Sequence, residues 1–242
     1  MLNLRKAVAV VAAVLSLTFV GSNFLVPDFR GYDDSLYPIP VPDPLVVPAA
    51  YAFIIWGPIF IWLILSLFWA LFKRSDDAQW HATRLSLIVS LVVGTFWLPV
   101  AVASPVWASV MICIMLGGAV VALYRSPKQN PLLGAWPIGL YAGWLSAACC
   151  VSVSVVLTGY GVLPESVSAV LFIVLSISIG FMVQWTLRRA PTYGVAINWA
   201  LIAIAVDTYG RNELIAYLAM AGVVLVSLPT LRSISLINRG AD

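Results

Sequence analysis

The sequence predicts an all-α fold, a polytopic transmembrane bundle of about eight helices with both termini in the cytoplasm. Three observations predict it. Hydrophobic types fill 62% of the 242 residues while charged types fill 10%, well under half of the roughly 25% charge of a soluble domain. Eight stretches are long and apolar enough to cross a bilayer, which takes about 20 residues each. The basic residues also sort to one side. With the N-terminus inside, Arg5, Lys6, Lys73, Arg74, Arg84, Arg125, Lys128, Arg188, Arg189, Arg232 and Arg239 fall inside, and only Arg30 and Arg211 outside, which accounts for all 13 Lys and Arg. Adding or dropping one span would destroy that separation. The same composition excludes disorder, and a net charge of +3 gives no reason to expect nucleic acid.

The runs are roughly 7–26, 49–72, 85–103, 105–124, 132–158, 167–187, 192–208 and 213–231. They are continuous rather than alternating, so helices are expected and not barrel strands. The first follows Arg5 and Lys6, as a signal peptide would, but it continues through Phe19, Val20, Phe24 and Leu25, which favours a retained helix. The seventh is the shortest. Residues 27–48 form an outer segment with Pro27, Pro38, Pro40, Pro42, Pro44 and Pro48. Proline at this density stops helix and favours extended backbone, so the segment is either a stiff cap folded over the bundle or a plain connector. Most acids lie on this outer side: Asp28, Asp33, Asp34, Asp43, Glu165, Asp207 and Glu213.

The apolar runs lack ionisable residues at depth, with Asp207 and His81 near predicted ends. Ion-coupled carriers usually keep such groups in the membrane, so that class is disfavoured. The single histidine excludes a two-histidine metal site, and no catalytic set is visible, so an enzyme is not expected. His81 reads as an interfacial histidine or, alternatively, an axial ligand. Cys113, Cys149 and Cys150 read as small buried hydrophobes. Pro58, Pro99, Pro137 and Pro229 lie in or beside apolar runs and are expected to kink them.

Ten tryptophans stand out. Trp69, Trp80, Trp107, Trp136 and Trp185 sit near helix ends, where headgroup-level indoles are expected. Trp56, Trp62, Trp97, Trp144 and Trp199 lie deeper, where an indole N–H needs a partner; they pack the interior or stack on a ligand. Asn198 reads as an interhelical hydrogen bond, with ligand contact as the alternative. Gly139, Gly143 and Ala147 form a four-residue stripe for close helix approach, to a helix of the same chain or of a second copy.

Three motifs carry a resemblance. The proline-rich segment runs into Pro48-Ala49-Ala50-Tyr51-Ala52-Phe53-Ile54-Ile55-Trp56-Gly57-Pro58; the third run holds Gly94-Thr95-Phe96-Trp97 before Pro99; the fifth holds Leu140-Tyr141-Ala142-Gly143-Trp144-Leu145-Ser146-Ala147-Ala148. Together they resemble helices two, three and five of the TspO/MBR family, the tryptophan-rich sensory proteins related to the mitochondrial translocator protein. The likeness covers about residues 7–160, a five-helix region (1–160), and leaves 161–242 as a three-helix extension of the same bundle, like that of longer plant- and bacterial-type relatives. It implies a multi-pass protein of a bacterial inner membrane with a pocket under the first loop for tetrapyrroles, sterols or other planar aromatic molecules. Carried over by position, the pocket residues are Phe53, Trp56, Phe96, Trp97, Tyr141 and Trp144. Gly94 and Ser152 stand where the family has asparagines, which weakens polar contacts.

The expected function is therefore non-catalytic binding or sensing of a hydrophobic small molecule, with no covalent cofactor and a non-covalent porphyrin as the candidate guest. The bilayer is the first partner, and a homodimer is compatible with the glycine stripe. The alternatives are an accessory subunit of a pigment–protein or respiratory complex, and a passive carrier of lipid-like molecules.

Overall fold

The computed structural model describes residues 4–24 and 31–239. Leu25, Pro27, Asp28 and Arg30, which the sequence assigned to the first span and the outer segment, lie outside them. Eight helices follow in order: α1 Leu4–Ser22, α2 Trp56–Lys73, α3 Ala78–Ala101, α4 Pro105–Arg125, α5 Ala135–Gly159, α6 Glu165–Leu187, α7 Pro191–Thr208 and α8 Glu213–Asn238. A 3₁₀ turn, Ala50–Ile55, leads into α2. There is no strand among the described residues. Among the described residues seven helices are long and apolar enough to span a membrane; α7 is the exception.

Although α7 misses that threshold, it runs from the inner to the outer end of the bundle. At its start Thr192 Oγ1 donates to the Trp136 carbonyl (2.7 Å), and Arg189 reaches the Leu123, Tyr124 and Ser126 carbonyls at the end of α4. At its other end the Ala203 carbonyl accepts from Ala49 N, and Arg211 donates to the Asp43 carbonyl. Eighteen residues at 1.5 Å each make about 27 Å, close to the thickness of the hydrocarbon core. Neighbouring helices explain why so modest a hydropathy suffices. Eleven of the 18 residues are buried, so α5, α6 and α8 screen α7 from lipid.

Small residues permit this packing. A Cβ on Gly143 would meet the Tyr193 carbonyl oxygen at 2.2 Å, and one on Gly139 would meet Thr192 Oγ1 at 2.6 Å. The two glycines of the stripe are therefore filled by α7 of the same chain, while Ala147 lines a cavity. Asn198 donates across to Ser227 on α8 (3.0 Å).

Several expectations need correction. Hydropathy starts the third run near residue 85, but α3 begins at Ala78 because Asp77 Oδ1 accepts from Gln79 N and Trp80 N, a local N-cap that hydropathy does not register. Arg84 thus stands inside α3 and is 0% exposed. Its guanidinium donates to the Ala70 and Arg74 carbonyls at 2.9 Å each and to Ser75 at 3.3 Å, closing the C-terminal end of α2. Pro58 and Pro137 lie in the first turns of α2 and α5 rather than in their interiors. Pro99 and Pro229 lie inside helices. Of the three cysteines only Cys150 is buried; Cys113 is exposed.

The proline-rich segment is a cap. Over residues 31–49 it folds back on the outer end, burying Tyr37, Val41 and Val46. Its N–H groups find distant acceptors: Ile39 N on the Gly159 carbonyl (2.9 Å) and Leu45 N on Glu165 Oε1 (2.9 Å). Gly159 makes the seat, since a Cβ there would stand 2.3 Å from the Tyr37 ring.

Candidate functional site

Beneath the cap lies a cavity of about 590 Å³, within the range of small-molecule sites. Each wall has a local cause. The 3₁₀ turn swings Phe53 under the cap. On α5, Trp144, Ala147, Ala148, Val151, Ser152 and Val155 follow at three- and four-residue steps, so they share one face. Trp97 comes from α3, Ile112 from α4, and Ala200 and Asp207 from α7. Alanines at 147, 148 and 200 leave the space that larger side chains would fill.

The floor is aromatic. Phe53 meets Trp144 edge to face, with centroids 5.9 Å apart at 81°. Trp97 Nε1 donates to the Ala108 carbonyl (3.0 Å), which satisfies its polar edge by bridging α3 to α4. Higher up, the Tyr32 hydroxyl dips from the cap to Ser152 Oγ (2.5 Å), which also meets Ser109 Oγ (2.6 Å). Burial pushes the Tyr32 phenol above its ordinary value, against the lowering effect of the two serines.

The mouth is acidic. Asp33, Asp34, Asp43 and Asp207 all line it. Arg211 pairs with Asp207 at 2.5 Å, so three of the four negative charges remain uncompensated by a lining cation among the described residues. The Ser35 hydroxyl and N–H hold Asp33 below the usual carboxylate range, so it stays ionised.

Of the six residues carried over by resemblance, Phe53, Trp97 and Trp144 line the cavity. Trp56 and Tyr141 lie behind its floor. Trp56 stacks on Phe60 (5.2 Å, 22°) and meets Trp144 edge-on (6.3 Å); Tyr141 is fully buried, its hydroxyl 2.8 Å from Ser90 Oγ. Phe96 is 61% exposed, turned away from the cavity by the 100° step that separates it from Trp97 on α3. Phe19 of α1 covers Tyr141 and packs against Trp56, which stays half-buried. Its ring packs on Trp56 (6.0 Å), Phe60 (5.2 Å) and Tyr141 (5.8 Å), and it fits because residue 94 is glycine. A Cβ there would lie 2.7 Å from Phe19 Cε2.

Tyr32, Ala147, Ala148, Ala200 and Asp207 were not singled out from the sequence as site residues. The outer bias of the acids was the one signal pointing to the mouth. The alanines carry no chemical signature, and α7 is remote in sequence from the motifs.

No histidine, cysteine or methionine lies among the described lining residues, so a metal there would meet only oxygen donors. No group of three His, Cys, Asp or Glu able to hold a metal ion occurs among the described residues.

The family profile described as TSPO-like protein matches residues 37–232. That span differs from the expected 7–160: it omits α1 and takes in α6, α7 and most of α8. No curated protein and no solved structure matches the chain. With well over half its length matched, through the cap, the cavity walls and the helices behind them, the chain belongs to the family of TSPO-like membrane proteins.

Proposed function

We propose that this protein binds or senses a planar, largely apolar molecule in the cavity beneath its outer cap, without making or breaking bonds in it. The observation that carries the reading is the 590 Å³ space floored by Phe53, Trp97 and Trp144 and partly roofed by a pinned loop. Each 100 Å² of ligand surface taken out of water there contributes about 2.5 kcal/mol before association costs. The acidic mouth then selects by charge. A ligand anion about 6 Å from one uncompensated carboxylate meets about 0.7 kcal/mol of repulsion even in a water-like dielectric. A neutral or cationic guest is favoured over an anionic one. Among tetrapyrroles, that means forms without ionised propionates. The basic inner ends support a cytoplasmic, inner-membrane orientation of both termini.

The test is a titration of the protein in lipid nanodiscs with protoporphyrin IX dimethyl ester and with free protoporphyrin IX, against empty nanodiscs. The ester is expected to bind more tightly at low salt, by about tenfold, with the gap narrowing as salt rises. Trp144→Ala should weaken both. Affinities unchanged in that variant would overturn the site and leave an accessory-subunit role as the better reading.

A further inference from the structure

The S–H groups of Cys113 and Cys149 face each other across the α4–α5 seam with their sulfurs 2.8 Å apart. They belong to different helices and are 36 residues apart in sequence, so local chain geometry does not force the meeting. Their exposures differ. Cys113 is open on the lipid-facing surface, Cys149 is half-buried, and the neighbouring Cys150 is buried. Cys113 lies eight residues into α4 from its outer end at Pro105, about 12 Å down, in the outer half of a core roughly 30 Å thick. The residues beside them, Ile112 and Ala148, line the cavity, and the Ser109–Ser152 hydrogen bond spans the same seam one turn above.

We infer that Cys113 and Cys149 are an oxidisable pair, a modification site at which a hydroperoxide arising in the bilayer joins α4 to α5. One sulfur is placed to meet the oxidant and the other to resolve the product, the arrangement expected of a redox-sensitive dithiol. In the first step Cys113 Sγ attacks the terminal oxygen of the hydroperoxide. The O–O bond breaks, Cys113 becomes a sulfenic acid, and the lipid leaves as an alcohol carrying the thiol proton. In the second step Cys149 Sγ attacks the Cys113 sulfur. The S–S bond forms, and the sulfenic oxygen departs as water with the Cys149 proton. Two thiols are oxidised by two electrons, and one hydroperoxide is reduced. A disulfide of about 2.04 Å needs the sulfurs to close by only about 0.8 Å, along the wall that α4 and α5 share with the cavity. The inference stands on the sulfur geometry and is independent of what the cavity binds.

The experiment treats the full chain in nanodiscs with one equivalent of cumene hydroperoxide, denatures it in N-ethylmaleimide and measures intact mass. The untreated protein should take three maleimides. The treated protein should take one and, on digestion, yield a Cys113–Cys149 linked peptide. Cys150→Ser should still lose two reactive thiols, whereas Cys113→Ser should lose none. Cys149→Ser should leave a sulfenic acid at Cys113 that dimedone traps. Three maleimides after treatment, a link through Cys150, or a Cys113-dependent dimer on a non-reducing gel in place of the internal link would each overturn it.

Discussion

Replacing Phe19 by alanine should lengthen the cavity downward at a modest cost in stability. In a water-soluble core such a truncation costs about 3–5 kcal/mol. Here the helix keeps a lipid environment when it separates from the bundle, so the transfer part of that cost largely cancels and the lost dispersion contacts remain. The ring touches Trp56, Phe60 and Tyr141 at 5.2–6.0 Å, so we expect a loss of about 1–2 kcal/mol. Gly94→Ala alone should also destabilise, by about 1–3 kcal/mol, since its Cβ would press to 2.7 Å on the same ring. The two changes together should be better than their sum, because the methyl then enters space the ring has left. A coupling of about 1 kcal/mol or more is expected. Thermal unfolding of the four proteins in one detergent measures it. Ligand titration of Phe19→Ala should show a gain for guests too long for the native cavity, as Trp56 and Tyr141 become accessible. Strict additivity of the two stability changes would refute the claim that Gly94 exists to admit Phe19.

Four further outcomes follow from the packing. Gly143→Ala should destabilise by more than about 1–3 kcal/mol, since the Tyr193 backbone at 2.2 Å cannot rotate away; a melting temperature within a degree of the native value would contradict the α5–α7 contact. Arg84→Met should lower stability by about 1–3 kcal/mol, because it strands the Ser75 carbonyl and removes one of two donors from the Ala70 and Arg74 carbonyls, read as faster proteolysis of the 74–77 turn in inside-out vesicles. Tyr32→Phe should cost about 1 kcal/mol and speed amide exchange in residues 31–49, because the cap loses its hydrogen bond to Ser152. Alkaline pH should also loosen the cap. Burial raises the Tyr32 and Tyr37 phenols in the folded protein, so their contribution is complete below the ordinary phenol value of about 10 and is lost as pH rises beyond it. Outer-loop proteolysis should accelerate above that pH, and less so in Tyr37→Phe.

Much of the architecture was readable from hydropathy and charge. Eleven interior cations mark the ends of the helices, and the structure uses several of them as end closures: Arg84 on α2, Arg189 on α4, and Arg232 stacked 4.2 Å over Trp185. The glycine stripe on α5 announced a close neighbour without naming it. The cap was legible as stiff backbone, but its seat depended on Gly159, Glu165 and Arg211, all far away in sequence. Within the site, the family motifs pointed to Phe53, Trp97 and Trp144, and could not tell that Phe96 would be exposed while Trp97 turned inward.

Composition and run length thus determined an eight-helix membrane bundle. These quantities are local sums along the chain, and the bilayer enforces them segment by segment. The tertiary structure decided which aromatic rings face empty space, because that depends on which helix fills each groove. Gly94 and Phe19 lie 75 positions apart, and their meeting buries Tyr141 behind the floor while Trp144 lines the cavity.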